Sequence, residues 1–227
     1  MRIQLSEHFT YKKLIRFVLP SIVMMIFTSI YSVVDGLFVS NYVGKTPFAS
    51  INLIMPVLMI LGALGFMIGT GGSAIVAKTL GEGKQEKASQ YFSMLIYVTA
   101  IGGILLTGVG ILCLRPVSAF LGAKGTMLED CVLYGRIVLL ALTPFMLQNV
   151  FQSFLATAEK PHLGLAVTIG AGVTNIILDY LFVAVFSWGL AGAAIATSIS
   201  QAVGGFVPLI YFSRKNNSLL QLTKARF

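Results

Sequence analysis

The chain has 227 residues, of which 56% are hydrophobic and only 11% charged. A water-soluble domain carries about 25% charged residues, and a chain this apolar could not cover its core with polar surface. The net charge of +8 sits in short clusters between apolar runs. None is long or aromatic enough for a nucleic-acid groove, so the charges read as topology signals and contacts with anionic lipid.

In chain order, the start MRIQLSEHFTYKK is polar, and no small-residue cleavage site follows the first apolar run, so it does not read as a secretory signal. Six apolar runs follow, over residues 14–40, 51–77, 91–114, 131–156, 163–186 and 189–212. Each is long enough to cross about 30 Å of hydrocarbon as a helix. They are too long for buried strands, and a membrane barrel would give shorter alternating segments. The connections NYVGKTP, LGEGKQEK, GAKGT, AEKPH and SWG carry turn residues. The expected fold is all-α, a polytopic transmembrane six-helix bundle over residues 1–213, with a polar tail over 214–227. Glycines crowd the second run (Gly62, Gly65, Gly69, Gly71, Gly72) and the third (Gly102, Gly103, Gly108, Gly110). They read mainly as packing positions, because small residues let membrane helices approach closely. Cys113 and Cys131 flank one loop and read as isolated thiols.

Lys and Arg set the orientation. The N-terminus, the second and fourth loops and the tail hold twelve of them: Arg2, Lys12, Lys13, Arg16, Lys78, Lys84, Lys87, Lys160, Arg214, Lys215, Lys224 and Arg226. The opposite side holds four: Lys45, Arg115, Lys124 and Arg136. This asymmetry predicts a multi-pass protein of the plasma membrane with both termini cytoplasmic.

Of eight acidic residues, only Asp35 and Asp179 fall inside apolar runs. An ionised carboxylate in hydrocarbon costs at least ~2.5 kcal/mol unless it finds a partner, a proton, a cation or water. No Lys or Arg lies deep in any run to pair with them. Asn175 and Asp179 are four apart and share a helix face, as do Tyr31 and Asp35. Counted from the outer ends, Asp35, Asp179 and Thr197 lie in the outer half, and Tyr134 starts the fourth run on that side. Two carboxylates brought together in a poor dielectric cannot both stay ionised. Such a pair suits proton exchange or coordination of Na⁺ by oxygens. The plainer readings are an interfacial, solvated Asp35 and an Asn175–Asp179 pair acting as interhelical hydrogen-bond glue. Gln148, Asn149 and Gln152 on the fourth run serve either packing or substrate contact.

His8 and His162 make no metal-ligand spacing. GTGGSA lacks the Lys and Ser/Thr of a phosphate loop, and no nucleophile–base set is placed for catalysis. An enzyme is not expected, nor a cofactor or a bound metal, beyond Na⁺ at Asp35, Asn175 and Asp179.

Several segments carry a family resemblance. SIYSVVDGLFVSNYVG, with Asp35, resembles the first helix of the multidrug and toxic compound extrusion (MATE) transporters. TNIILDYLFV, with Asn175 and Asp179, resembles their fifth helix, WGLAGAAIATSISQ their sixth, and FQSFLATAEKP the end of their fourth. The resemblance implies an efflux antiporter that exchanges organic cations for H⁺ or Na⁺. It also implies a cation-coupling site in the N-terminal lobe, at positions similar to Asp35, Asn175, Asp179, Thr197 and Tyr134. Pro20 resembles a proline around which the first helix bends in some members. The family has twelve spans in two lobes, so this chain is similar to the first lobe, and SRKNNSLLQLTKARF resembles the start of the inter-lobe linker. The implied partners are organic cation substrates, membrane lipid, and a second lobe or a second copy of the chain. Two rival readings are a lipid-linked precursor flippase of related fold and a non-transporting membrane assembly subunit. The lack of deep Lys or Arg disfavours the flippase.

Overall fold

The structure is a computed structural model and describes residues 11–214 and 217–223. Arg2, His8, Lys215, Lys224 and Arg226 lie outside the described residues, as do the side chains of Lys12, Lys13 and Arg16. All the described regular structure is helical. Helix α1 (Tyr11–Phe38) runs uninterrupted across the buried Pro20 and continues into a π-helical segment, π1 (Val39–Val43). Gly44, at φ 120°, supplies the left-handed turn that starts α2 (Lys45–Gly81). Helix α3 spans Gln85–Phe120, α4 Thr126–Leu140, α5 Leu142–Thr157 and α6 Pro161–Asp179. A second π-helical segment, π2 (Tyr180–Val185), follows α6, and α7 spans Gly189–Ser213.

Five of these helical stretches are long and apolar enough to cross a membrane, and α4 with α5 makes a sixth, bent by 55°. The helices overrun the expected limits. At 37 residues and 1.5 Å per residue, α2 is roughly 55 Å long, well beyond the hydrocarbon core. The bend at Ala141 was not foreseen, although its cause is in the sequence. Pro144 has no N–H to offer the Leu140 carbonyl, and it disfavours helical geometry at Thr143. The Ala141 N–H turns back to Val138 O at 3.0 Å. Carbonyls beside the break take side-chain donors instead. Ser198 Oγ of α7 shares its hydrogen between Ala194 O at 2.8 Å and Ile137 O at 3.1 Å, and Thr107 Oγ1 of α3 donates to Leu139 O at 3.0 Å. With no water in hydrocarbon, these bonds make the break tolerable.

Glycine placement sets the helix spacing. Gly62, Gly65, Gly69 and Gly72 recur on one buried face of α2. A Cβ at Gly65 would lie 2.7 Å from the Met146 backbone, and one at Gly69 2.9 Å from Val150 Cα, so α2 and α5 touch almost backbone to backbone. Asn149 Nδ2 donates to Gly62 O at 3.5 Å across the same seam. Gly103 meets Thr143 and Gly110 meets Leu139, whereas Gly71, Gly102 and Gly108 face open space. The packing reading thus applies to some of the glycines and not to these three.

Two buried clusters fill the bundle. One, around Ile54, Leu58, Tyr134, Leu139, Val183 and Leu190, lies toward the π-segments. The other is aromatic: Phe92 stands edge-on to Phe154 at 4.9 Å and to Phe212 at 5.0 Å, and Phe151 stacks on Phe212 at 5.7 Å. The outer faces of α1 and α3 expose Ile15, Leu19, Met25, Ile26, Ile101, Ile104 and Leu105, far more apolar surface than water tolerates in a monomer. In the α2–α3 turn, Lys84 Nζ lies 2.8 Å from Glu82 Oε2. The Lys84 ammonium holds the Glu82 carboxyl below its usual range, and Glu82 holds Lys84 above its own. Both are exposed, and the pair contributes little to stability.

The segment after α7 is packed rather than extended. Leu220 is completely buried in the aromatic cluster. Leu222 N–H donates to Phe212 O at 2.9 Å, and Thr223 N–H to Ser93 Oγ at 2.8 Å. Gln85 Nε2 donates to Leu219 O at 3.1 Å. This part of the expected tail is a strap that ties the starting half of α3 to the end of α7.

Two predictions follow from the packing. Gly65→Leu should overpack the α2–α5 seam and cost about 1–3 kcal/mol, lowering the melting temperature in detergent, while Gly71→Leu should leave it unchanged. Leu220→Ala should cost about 2–5 kcal/mol locally and release the Leu222 and Thr223 amides to rapid hydrogen exchange, while α2 and α5 stay protected.

Candidate functional site: a cavity beside two lone carboxylates

Helices α1 and α6 pack against each other through Gly172. A Cβ there would come within 2.5 Å of the Phe27 ring and 3.1 Å of Tyr31. From that contact, Asp35 lies one helical turn beyond Tyr31, and Asn175 and Asp179 lie three and seven residues beyond Gly172. These spacings keep each set on one helix face. The close approach therefore brings the two acids together, and their carboxyls are near neighbours. Asp179 ends α6, with π2 immediately after it, and Asp35 lies four residues before π1. π-Helical turns occur often at functional sites because they re-aim side chains that a regular helix would place elsewhere.

Asp35 borders a cavity of about 110 Å³ between α1, α2, α4, α5, α6 and α7, and Asp179 lies behind Asp35 rather than in the cavity wall. Asp35, Asn175 and Thr197 line it at one end, and Gln148, Ser200 and Gln201 also reach it. Its remaining wall is mostly apolar, with Met55, Leu58 and Phe145. Asp179 and Asn175 are buried, at 0% and 2% exposure, and Asp35 is half-buried. Tyr134 is 1% exposed and comes from α4, with its hydroxyl beside Thr197.

Hydrogen bonding is incomplete here. Among the described residues, Asp35 Oδ1, both Asp179 oxygens, Asn175 Nδ2, Thr197 Oγ1 and Gln201 Oε1 are buried with no well-formed partner. Nearly all buried polar groups in folded proteins are satisfied, so a cluster of orphaned oxygens marks a place built for something else. No Lys or Arg is among the residues lining the cavity. Hard oxygen donors without a competing cation suit H⁺ or an alkali ion. The described residues hold no group of three His, Cys, Asp or Glu that could bind a metal.

The structure thus brings Asp35, Asn175, Asp179, Thr197 and Tyr134 together. It separates the fourth-span amides, with Gln148 at the cavity and Asn149 in the α2–α5 seam. Gln201 and Ser200 were missed. The spacing of Thr197 and Gln201, four residues apart on α7, was the available signal.

Six apolar spans packed around a small cavity, with two neighbouring carboxylates beside it, define the class: a multi-pass membrane protein with a polar site buried among its helices. The model of the MatE family matches residues 20–181; the chain belongs to the MatE family. It is 28% identical over 215 residues to the multidrug export protein MepA of Staphylococcus haemolyticus (strain JCSC1435), covering 94% of this chain and 47% of MepA. Among solved structures, it resembles the outward-facing conformation of a multidrug resistance MATE family transporter of the MOP superfamily. The TM-score is 0.87 and the identity 25%, over 92% of this chain and 46% of that one. The inward-facing conformation of such a transporter gives a TM-score of 0.80 at 25% identity, over 85% of this chain and 44% of that one. The chain spans about half the length of the curated relatives it matches.

The proximity of the acids can be checked chemically. In a variant with Cys113 and Cys131 replaced by serine, Asp35→Cys together with Asp179→Cys should cross-link on mild oxidation or with Hg²⁺. Asp35→Cys with Gly108→Cys should not, since Gly108 faces open space on α3.

Proposed function

We propose that this chain is the cation-coupling lobe of an antiporter that exports organic cations in exchange for H⁺ or Na⁺. The observation that carries the reading is the pairing of Asp35 with Asp179 beside a cavity that Asp35 lines and whose wall holds no basic residue. Taking up a proton or a cation there removes the cost of leaving two carboxylates in a poor dielectric. Asn175, Thr197 and Tyr134 surround the pair with further oxygen and amide groups. Occupied and empty sites differ in net charge, so each favours a different arrangement of α1 against α6, and ion binding shifts the balance between them. An organic cation bound elsewhere in the two-lobe protein then competes through that balance.

The drug-export side of the reading rests on kinship with MepA. The cavity walls support it, because an anionic lipid precursor would need cations that the lining does not contain. The basic residues outside the spans are consistent with a plasma-membrane protein whose termini face the cytoplasm.

The test is ethidium efflux from cells expressing a two-lobe protein that contains this chain. Asp35→Asn and Asp179→Asn should each reduce efflux at least tenfold while the protein remains in the membrane. Wild-type efflux from either variant would sink the coupling role of the pair.

A further inference from the structure

Arg136 is out of place by the rules of a membrane span. Helix α4 turns Leu133, Arg136 and Leu140 outward on one stripe, the two leucines 45% and 70% exposed and Arg136 exposed between them. Charged side chains inside spans almost always face the bundle interior or a water-filled cavity, and this one faces neither. It has no hydrogen bond or ion pair among the described residues. Its neighbours on the α3–α4 seam set its place along the helix. Arg115 Nη2 donates to Glu129 Oε1 at 2.7 Å, and both side chains of that pair are well exposed, which suits water or the headgroup layer. Gly135 packs on Leu114, where a Cβ would come within 2.8 Å, and Leu139 O accepts from the Thr107 hydroxyl. Arg136 therefore stands on the lipid side of this seam, seven residues and about 10 Å along α4 from Glu129. The headgroup layer of one leaflet is only roughly 5–8 Å thick, so Arg136 starts from the edge of the hydrocarbon and its side chain must reach back toward phosphate.

Deeper along the same seam, α3 offers a notch. Gly108, which follows Thr107, is exposed between Ile104 and Leu112, themselves 65% and 81% exposed, and a Cβ there would meet nothing within 4 Å. A guanidinium matches phosphate oxygens bidentately and is the usual side chain for that purpose. We infer that Arg136 holds the phosphate of one anionic phospholipid in the leaflet beside the α3–α4 turn, with an acyl chain lying along the seam past Gly108. The polar end of the seam thus meets the lipid's charge and the apolar end its hydrocarbon. The inference does not depend on the acid pair. Tyr134, the α4 residue beside Thr197, is buried two positions before Arg136 and so points to the opposite side of the helix.

The experiment counts the lipids that the purified full chain retains in native mass spectrometry, after release from detergent micelles holding equal amounts of phosphatidylglycerol and phosphatidylcholine. The wild-type chain should keep one phosphatidylglycerol over phosphatidylcholine by about fivefold, the discrimination that one basic side chain near an anionic surface supplies. Arg136→Gln should bring that ratio to one. Arg136→Lys keeps the charge without the fork, so it should fall between the two. Lys124→Gln removes an exposed charge from the α3–α4 turn and should leave the preference unchanged. Excess inorganic phosphate should not displace the lipid, because hydrocarbon contacts hold its chain. Equal melting temperatures in lipid-free detergent would separate a lost site from a lost fold. A wild-type ratio of one, or an Arg136→Gln chain that keeps the wild-type preference, overturns the inference. So does an equal loss in Lys124→Gln, which would mean diffuse attraction to the whole end of the bundle. Displacement by inorganic phosphate would mean a free-anion site and would overturn the assignment to lipid.

Discussion

Two carboxylates held together inside an apolar bundle are the constraint on which this structure turns. Asp179 is fully buried and Asp35 half so, and no cation among the lining residues offsets them. A lone ionised acid in hydrocarbon is expensive, and two side by side are worse. A fold selected for stability alone would replace them with Leu and Phe, as at most neighbouring positions. Their retention, with Asn175, Thr197 and Gln201 also left without partners, is a local departure from the rule that buried polar groups are satisfied. Such departures are expected where a site must bind and release something.

The rest of the bundle supplies the rigidity that such a site needs. The α2–α5 seam is closed by Gly65 and Gly69 at near backbone contact, and the aromatic cluster with Leu220 locks α3, α5 and α7 at the other end. Against this frame α1 is lightly held. It packs chiefly on α6, and most of its large side chains face outward. The acids thus join the least anchored helix to a well-anchored one, and π1 and π2 touch just beyond them. Helical segments that depart from regular hydrogen bonding are where a helix can re-register at low cost. A change in charge at the pair therefore acts on the part of the lobe best able to move.

Much of this was legible in the sequence, for physical reasons. Lipid forces helices on the chain, so apolar run length alone fixes their number and approximate place. An acid in such a run stands out against its surroundings, and the four-residue spacing of Asn175 and Asp179 gives its face. The break at Ala141 was not read, because the run from 131 to 156 stays apolar through it and hydropathy does not register a proline's missing donor. The side chains that make the break tolerable, Thr107 and Ser198, are distant in sequence, and nothing local announces them. Gln201 was overlooked because an uncharged amide in a span reads as helix glue, and only the cavity distinguishes a partnered amide from an orphaned one. The strap at 217–223 looked like a linker because its polar residues mask Leu220, whose burial depends on a pocket built by four other helices.

The size of the cavity carries one more step. At about 110 Å³ it has room for an ion with a few waters, while drug-sized ligands occupy pockets of roughly 300–1,000 Å³. A molecule of that size would overfill this space in the packing seen here. In the proposed exchange, the ion and the exported molecule therefore do not compete for the same atoms in the state seen here. Their coupling has to run through the lobe's shape: the ion favours one packing of α1 on α6, and the larger ligand favours another in which the cavity is widened or joined to space beside a second lobe. Exchange then needs no ligand shared between the two sites, only a helix whose position both of them read.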